Sequence, residues 1–468
     1  MKALKKSISI ILALTLLLSL FCCLISCEDS QDTQMTQGEK EEQGIQGEQG
    51  NQAGQGNQNN QSTQDNQGDQ GAQDKQEEGT EGLEFNLLPD GTYSVSAGTA
   101  INLEEIIIPS KHSGKSVSAI SYRAFYEATN LKSITIPDSV TSIGSEAFMF
   151  CISLSYNQYD NAYYLGNNVN PYVVLINTAS KDITSLEIHK DTRAIYDSAF
   201  SNCSKLTNVT IPNSVMSIGN YAFENCTGLT SITIPNSVMS IGNYAFENCT
   251  GLTSATIGNG ITNIGDYAFN GCDNLTYNYD GNAYYLGNNI NPYVVLIKPP
   301  TKTTFSIIVH EHTKIIYSSA FSGCNMLAHI TISDSVTSIA INAFSGCSRL
   351  TSITVSQGNT KYHSADNCLI ETESKTLVLG CRESIIPDDG SVTSIGDRAF
   401  SGCSGLTSIT IPDSVTSIGE YAFSGCSGLT SISFNGSMAI WNEISKDSEW
   451  NYNNNITTIH CTDGDITL

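Results

Sequence analysis

The sequence predicts a solenoid: parallel β-strands on one face, short helical turns on the other, and about ten 23-residue repeats carrying β-hairpin inserts. Three observations lead there. An Ala-Phe pair recurs with its Phe at 125, 148, 200, 223, 246, 269, 321, 344, 400 and 423, and six of the nine intervals are 23 residues. Residues 210–231 and 233–254 are identical over 22 positions. Within each unit Ile alternates with Ser or Thr over a short stretch, as in Ser231-Ile-Thr-Ile234, the period of a strand with one buried side. Many copies at a fixed period override the prior of about three domains that 468 residues would suggest.

The first element is a leader at residues 1–26. Lys2, Lys5 and Lys6 precede an apolar run from Ile8 to Ile25, the arrangement of a secretory signal. The run ends Leu24-Ile25-Ser26-Cys27, which resembles the lipobox of bacterial lipoproteins. That resemblance implies cleavage before Cys27 and acylation of Cys27, tethering the chain to a membrane through its N-terminal lipid. An uncleaved anchor and simple release remain the alternatives.

Residues 27–82 form a linker. Gln recurs at every third position from Gln31 to Gln76, Lys40 excepted, and almost nothing there can be buried. Gly shares the frame only in part and Pro is absent, so a collagen triple helix is excluded and a hydrated acidic tether is expected. The net charge of −24 for the whole chain includes −16 beyond residue 82. Such a surface repels polyanions, and nucleic acid is excluded as a partner.

The solenoid is expected at 83–434. In one unit Ile232 and Ile234 point inward and Pro235 ends the strand by removing a ladder donor. Val238 and Ile241 carry the chain over the core, and Gly242 bends it. Ala245, Cys249 and Leu252 are spaced for one face of a helical turn, with Phe246 as the central bulk. No unit encloses a core alone; stacking buries Phe on Phe and Ile on Ile.

Leu229, Ile232, Ile234 and Ser237 fit the pattern Leu-x-x-Leu-x-Leu-x-x-Asn, so the array resembles a leucine-rich-repeat solenoid. The stretch Ile411-Pro-Asp-Ser-Val-Thr-Ser-Ile-Gly-Glu-Tyr-Ala-Phe-Ser-Gly-Cys426 is closer still to the BspA-like leucine-rich repeat of bacterial surface proteins. The resemblance implies a cell-surface role in binding proteins or glycans on host or bacterial surfaces, adhesin-like in character. A glycan-capture or envelope-scaffold protein without a host ligand is the alternative. It implies no cofactor.

Three inserts interrupt the period, near 155–190, 276–312 and 356–385. The first two share Asn-Ala-Tyr-Tyr-Leu-Gly-Asn-Asn-x-Asn-Pro-Tyr-Val-Val-Leu-Ile, at Asn161–Ile176 and Asn282–Ile297, and read as hairpins about the Gly-Asn-Asn-x-Asn-Pro turn. Residues 435–468, with Trp441 and Trp450, are expected to cap the last coil.

Nine of the 15 Cys follow the repeat Phe by three residues, a spacing that suits a buried reduced ladder better than a disulfide framework. Cys368 and Cys381, within one insert, are the candidates for a disulfide. His310-Glu311-His312 is a weak metal pair whose simpler reading is an exposed strand, and no catalytic motif stands out, so no enzyme is expected. Two surfaces are candidates for ligand. One is a ladder of Thr135, Thr210, Thr233, Thr256, Thr331, Thr354 and Thr410; the competing account is that Thr simply suits strands. The other is aromatic: Tyr163, Tyr164, Tyr284 and Tyr285 of the hairpins, with Tyr221, Tyr244 and Tyr267 on consecutive turns.

Overall fold

The structure is a computed structural model that describes residues 79–468. The leader, Cys27 and nearly all of the linker lie outside the described residues.

Each coil contributes to two parallel ladders. The first contains the alternating strands: Ser231–Ile234 pairs with Ser254–Ile257, with Ser on Ser, Thr233 on Thr256 and Ile234 on Ile257. The second is made of two-residue strands, Ser217–Ile218, Ser240–Ile241 and Asn263–Ile264 lying in register. Side-chain periodicity of two sends Ile232 and Ile234 into the core and leaves Ser231 and Thr233 in solvent. Some serines of the turn that follows the strand link coils: Ser139 and Ser414 of Pro-x-Ser, and Ser335 of Ser-Asp-Ser, each donate to a carbonyl of the preceding coil at 2.8 Å.

The third side is not helical. Ala245, Cys249 and Leu252 are buried as expected, but the backbone between them is a chain of turns. Tyr244 and Asn248 adopt φ of 57° and 56°, which no α-helix tolerates. In exchange the N–H groups of Tyr244, Phe246 and Asn248 reach the carbonyls of Asp266, Ala268 and Asn270 in the next coil, at 2.9, 2.7 and 2.8 Å. A helix would turn those donors inward along its own axis; the turns stitch each coil of an uninterrupted run to the next. Among the described residues the only helices are the 3-10 turn Gly98–Asn102 and the six-residue α-helix Met438–Glu443.

The recurring phenylalanines form columns. Rings of Phe200, Phe223, Phe246 and Phe269 follow one another at 4.6, 5.0 and 5.2 Å, within 8° of parallel. The same stacking joins Phe125 to Phe148, Phe321 to Phe344 and Phe400 to Phe423. The columns break at the inserts, because each of the first two inserts is itself a coil that lacks the Ala-Phe pair. Ala162–Leu165 and Val174–Thr178 form the expected hairpin, yet Val174–Thr178 also runs parallel to Ala194–Ile195 as a full member of the second ladder. The number of coils therefore exceeds the number of Ala-Phe pairs.

At these breaks the Phe N–H has no Ala carbonyl above it. Tyr196 and Tyr317 supply the acceptor: the amides of Phe148 and Phe269 donate to their hydroxyls at 3.1 and 2.9 Å. Both tyrosines occupy the place that Gly holds in ordinary units. At Gly242 a Cβ would come within 2.5 Å of the Asn220 nitrogen of the preceding coil, so no side chain fits. After an insert that backbone is displaced and a tyrosine fills the gap. At the third insert the Phe place is taken by Gly380, whose N–H still meets the Ala399 carbonyl at 2.8 Å.

The regular stacking continues past Phe434. Thr458–Cys461 pairs parallel with Ser431–Phe434, and Ser445–Lys446 with Ser417–Ile418. Trp441 and Trp450 are buried against Phe434 and Phe423, and the antiparallel strand Gly464–Thr467 closes the ladder.

Cys151, Cys226, Cys249, Cys272, Cys347 and Cys426 each donate a thiol hydrogen bond to the Phe carbonyl of the preceding coil, at 3.1–3.2 Å. The disulfide considered between Cys368 and Cys381 is not formed. Both are buried free thiols; Cys368 points to the Ile385 carbonyl at 3.4 Å, and Ser384 packs its hydroxyl 3.6 Å from the Cys381 sulfur. Burial pushes the thiols up, to about 11 at Cys151 and about 12 at Cys226, Cys347 and Cys426. With the folded value above the ordinary value of 9.0, stability is intact below that pH and declines above it, as the unfolded thiols ionise first. N-ethylmaleimide at neutral pH is accordingly expected to modify half-exposed Cys461 and to spare the ladder until denaturant is added, as read by peptide mass mapping.

Candidate functional site

The sequence-predicted threonines do share one face. Thr210 and Thr233 are exposed, Thr256 is half-buried, and Thr331 sits on Thr354 in register. Thr135 pairs with Ile107, and Thr410 with Ser433. The row is not uniform, however. Glu187 lies opposite Thr210 in register, and Ile308, exposed at 65%, lies opposite Thr331. Neither substitution was read from the sequence, although both sit at the Thr position of their units.

The row is also interrupted. Gly166 bridges to Thr135, and Gly287 bridges to Thr256, so the turn of each hairpin insert rises from the threonine face itself. A Cβ at either Gly would lie 2.2 Å from a carbonyl oxygen of its own loop, so the tight entry requires Gly. Both loops share one asparagine frame. The Oδ1 of Asn167 accepts from the amides of Val169 and Asn170, and that of Asn288 from Ile290 and Asn291, at 2.8–3.0 Å. The Nδ2 groups of Asn167 and Asn288 donate to Ile136 and Ile257 in the coil beneath. Asn170 and Asn291 grip the coil above, through the carbonyls of Asp191 and His312. What these frames hold out is apolar: Val169 is 92% exposed and Ile290 86%.

Between the loops lie the coils of Glu187, Thr210, Thr233 and Thr256. With strands about 4.8 Å apart, five coil rises separate the two tips by about 24 Å. The floor of this bay is neutral apart from Glu187. Against the second loop it deepens into a hollow of about 500 Å³ lined by Asn208, Thr210, Thr233, Asn236, Asn289 and Ile290.

The aromatic surface needs correction. Tyr164 and Tyr285 are fully buried and cannot meet a ligand. Strand alternation turns them inward, where their hydroxyls accept from the amides of His189 and His310 at 3.4 Å. Their neighbours Tyr163 and Tyr284 face outward and are half-buried. Tyr221, Tyr244 and Tyr267 stack at 5.0 and 5.4 Å. Their ring faces cover one another, leaving edges and hydroxyls to solvent. His310 is structural: its Nδ1 accepts the amide of His312 at 3.2 Å and its ring lies 4.0 Å from that of Tyr293. Among the described residues no group of three or more His, Cys, Asp or Glu is placed to hold a metal.

The sequence model described as "BspA type Leucine rich repeat region" matches six copies, over residues 97–169, 178–292, 301–368 and 380–464. The chain belongs to the BspA-type leucine-rich repeat family. Similar solved structures include a leucine rich cell surface protein of Faecalibacterium prausnitzii A2-165, at 28% identity over 79% of this chain and 97% of the other, with a TM-score of 0.29. A leucine-rich repeat protein of Bacteroides ovatus is similar at 22% identity over the same shares of the two chains, with a TM-score of 0.28. The pneumococcal vaccine antigen PcpA is similar at 18% identity, covering 82% of this chain and 87% of its own, with a TM-score of 0.26. A comparison with curated proteins finds no match. In this BspA-type chain the family's repeat supplies the rigid scaffold, while the loops at 166–170 and 287–291 are carried by coils that depart from its period.

Proposed function

We propose that the chain is an exported, lipid-anchored surface protein that works by non-catalytic binding of a protein partner, adhesin-like, on host or neighbouring bacterial surfaces. The bay between the two loops is its contact face. The observation that carries this reading is the pair of β-branched tips, Val169 and Ile290, held almost fully in solvent by matching asparagine frames. Leaving such side chains exposed forgoes about 1.5–3 kcal/mol of burial each, which contact with a partner recovers. The rigid frames reduce the ordering cost of that contact.

The test is binding of the purified protein to immobilised extracellular-matrix proteins, mucin and bacterial cells. The double variant Val169→Asp, Ile290→Asp is expected to weaken the strongest interaction at least about tenfold with an unchanged melting temperature, since neither side chain touches the core. Full binding by that variant, or no binding by the parent, overturns the reading. For the anchor, Cys27→Ala is expected to abolish incorporation of labelled palmitate and release the protein from the membrane fraction; retention there with no label incorporated would point to an uncleaved span.

A further inference from the structure

The two hairpin inserts keep the same scaffold but not the same surroundings. Tyr156 and Tyr163 in the first correspond to Tyr277 and Tyr284 in the second, and each pair lies at a ring separation of 6.2–6.4 Å. Shortly before the first pair in the chain come Met149, Phe150 and Ile152, the last 79% exposed. At the matching places before the second come Asn270, Gly271 and Asp273, which line a hollow together with Tyr277 and Tyr284. A second change is electrostatic. In the first insert Lys181 donates to Asn177 Oδ1 at 2.8 Å. In the second Asn177 is replaced by Lys298, so Lys302, the counterpart of Lys181, loses that partner and turns to the Ser322 carbonyl.

The result is an open hollow of about 680 Å³ beside the second hairpin, lined by Tyr277, Tyr284, Lys298, Lys302, Asp273 and Thr301, among others. That is the size range of pockets that take small organic ligands. The Lys298 ammonium lies 4.6 Å from the Tyr277 ring centre and 5.8 Å from that of Tyr284, against ring faces rather than a carboxylate. Among the described residues the lysines paired with carboxylates are Lys132, Lys190, Lys205 and Lys361, and neither Lys298 nor Lys302 is one of them. Two cations with no carboxylate within salt-bridge distance thus line one hollow beside Asp273, in a strongly acidic domain.

We propose that this hollow binds a carboxylated sugar, a uronic or sialic acid residue of a glycan. The ammonium groups match the carboxylate, the tilted tyrosine pair offers apolar surface to the C–H faces of a pyranose ring, and Asp273 and Thr301 match its hydroxyls. Asp273 repels a compact, multiply charged anion such as phosphate more than a singly charged sugar carboxylate, and it can accept from the sugar hydroxyls. The site is separate from the bay and does not depend on the protein-binding role proposed for it.

The experiment titrates the purified protein with glucuronic acid and N-acetylneuraminic acid, with glucose and N-acetylglucosamine as neutral counterparts and a triglutamate peptide as a non-sugar carboxylate, read by calorimetry and saturation-transfer NMR. The acidic sugars are expected to bind at least about tenfold more tightly than the neutral ones and than triglutamate. Lys298→Gln is expected to remove about tenfold of that affinity, and the double variant Lys298→Gln, Lys302→Gln to remove it altogether. These side chains are exposed, so the melting temperature stays unchanged. Asn177→Gln, at the matching place in the first insert, leaves sugar binding as it was. The proposal falls if no sugar binds, if neutral sugars bind equally, if triglutamate binds as well as the acidic sugars, or if the double lysine variant retains affinity. Binding to protein partners through Val169 and Ile290 is measured in the same preparations, so loss of one activity does not mask the other.

Discussion

Phe246→Ala is expected to destabilise the solenoid by about 3–5 kcal/mol, the range for removing a fully buried aromatic side chain. Phe246 is completely buried and stacks on Phe223 at 5.0 Å and Phe269 at 5.2 Å, so truncation leaves a ring-sized void with aromatic walls on two sides. In a globular domain such a loss is spread over the whole. Here each coil contacts only its neighbours, so the weakness stays at one level and the array parts there. Urea denaturation followed by circular dichroism should show an earlier transition for the coils flanking 246, ahead of the remainder. An unchanged single transition would mean that the column is not what couples the coils.

Gly380→Ala is expected to cost about 3 kcal/mol, the upper part of the range for overpacking. A Cβ at 380 would meet Cε1 of Phe400 at 2.0 Å and Cζ at 2.4 Å. Phe400 has no free direction, being fully buried and stacked on Phe423 at 5.2 Å. The control is Gly390→Ala. Gly390 has φ of 77° but nothing within 4 Å of an added Cβ, so only the left-handed backbone is penalised, by about 1 kcal/mol. Thermal melts of the two variants separate steric from backbone cost; equal shifts would contradict the packing argument.

Much of the fold was legible because repetition turns a local pattern into a stack. Ile232 and Ile234 announce an inward strand face, and a bulky residue at a fixed period, Phe223, Phe246, Phe269, has nowhere to go except onto its own copies. The helical spacing of Ala245, Cys249 and Leu252 was misleading, since turns with positive φ at Tyr244 and Asn248 bury the same side chains while pairing with the next coil. Coils without Ala-Phe escaped notice. Their trace in the sequence was the Tyr standing for Gly at 196 and 317, a residue that fits only where the backbone below has moved away.

The candidate site was less legible. Adjacent tyrosines, Tyr163 beside Tyr164 and Tyr284 beside Tyr285, are equivalent in composition, and only strand phase decides which one is buried. The prominence of Val169 and Ile290 depends on asparagine bonds to coils on either side, which no single insert reveals.

The near-identity of neighbouring units makes the bay a ruler with discrete gradations. Since residues 210–231 and 233–254 are interchangeable, an array with one more or one fewer such segment would set its two apolar tips about 4.8 Å farther apart or closer together, leaving both loops and every other coil as they are. Recombination between matching stretches of the gene could thus resize the bay in a single event, with no new fold to invent.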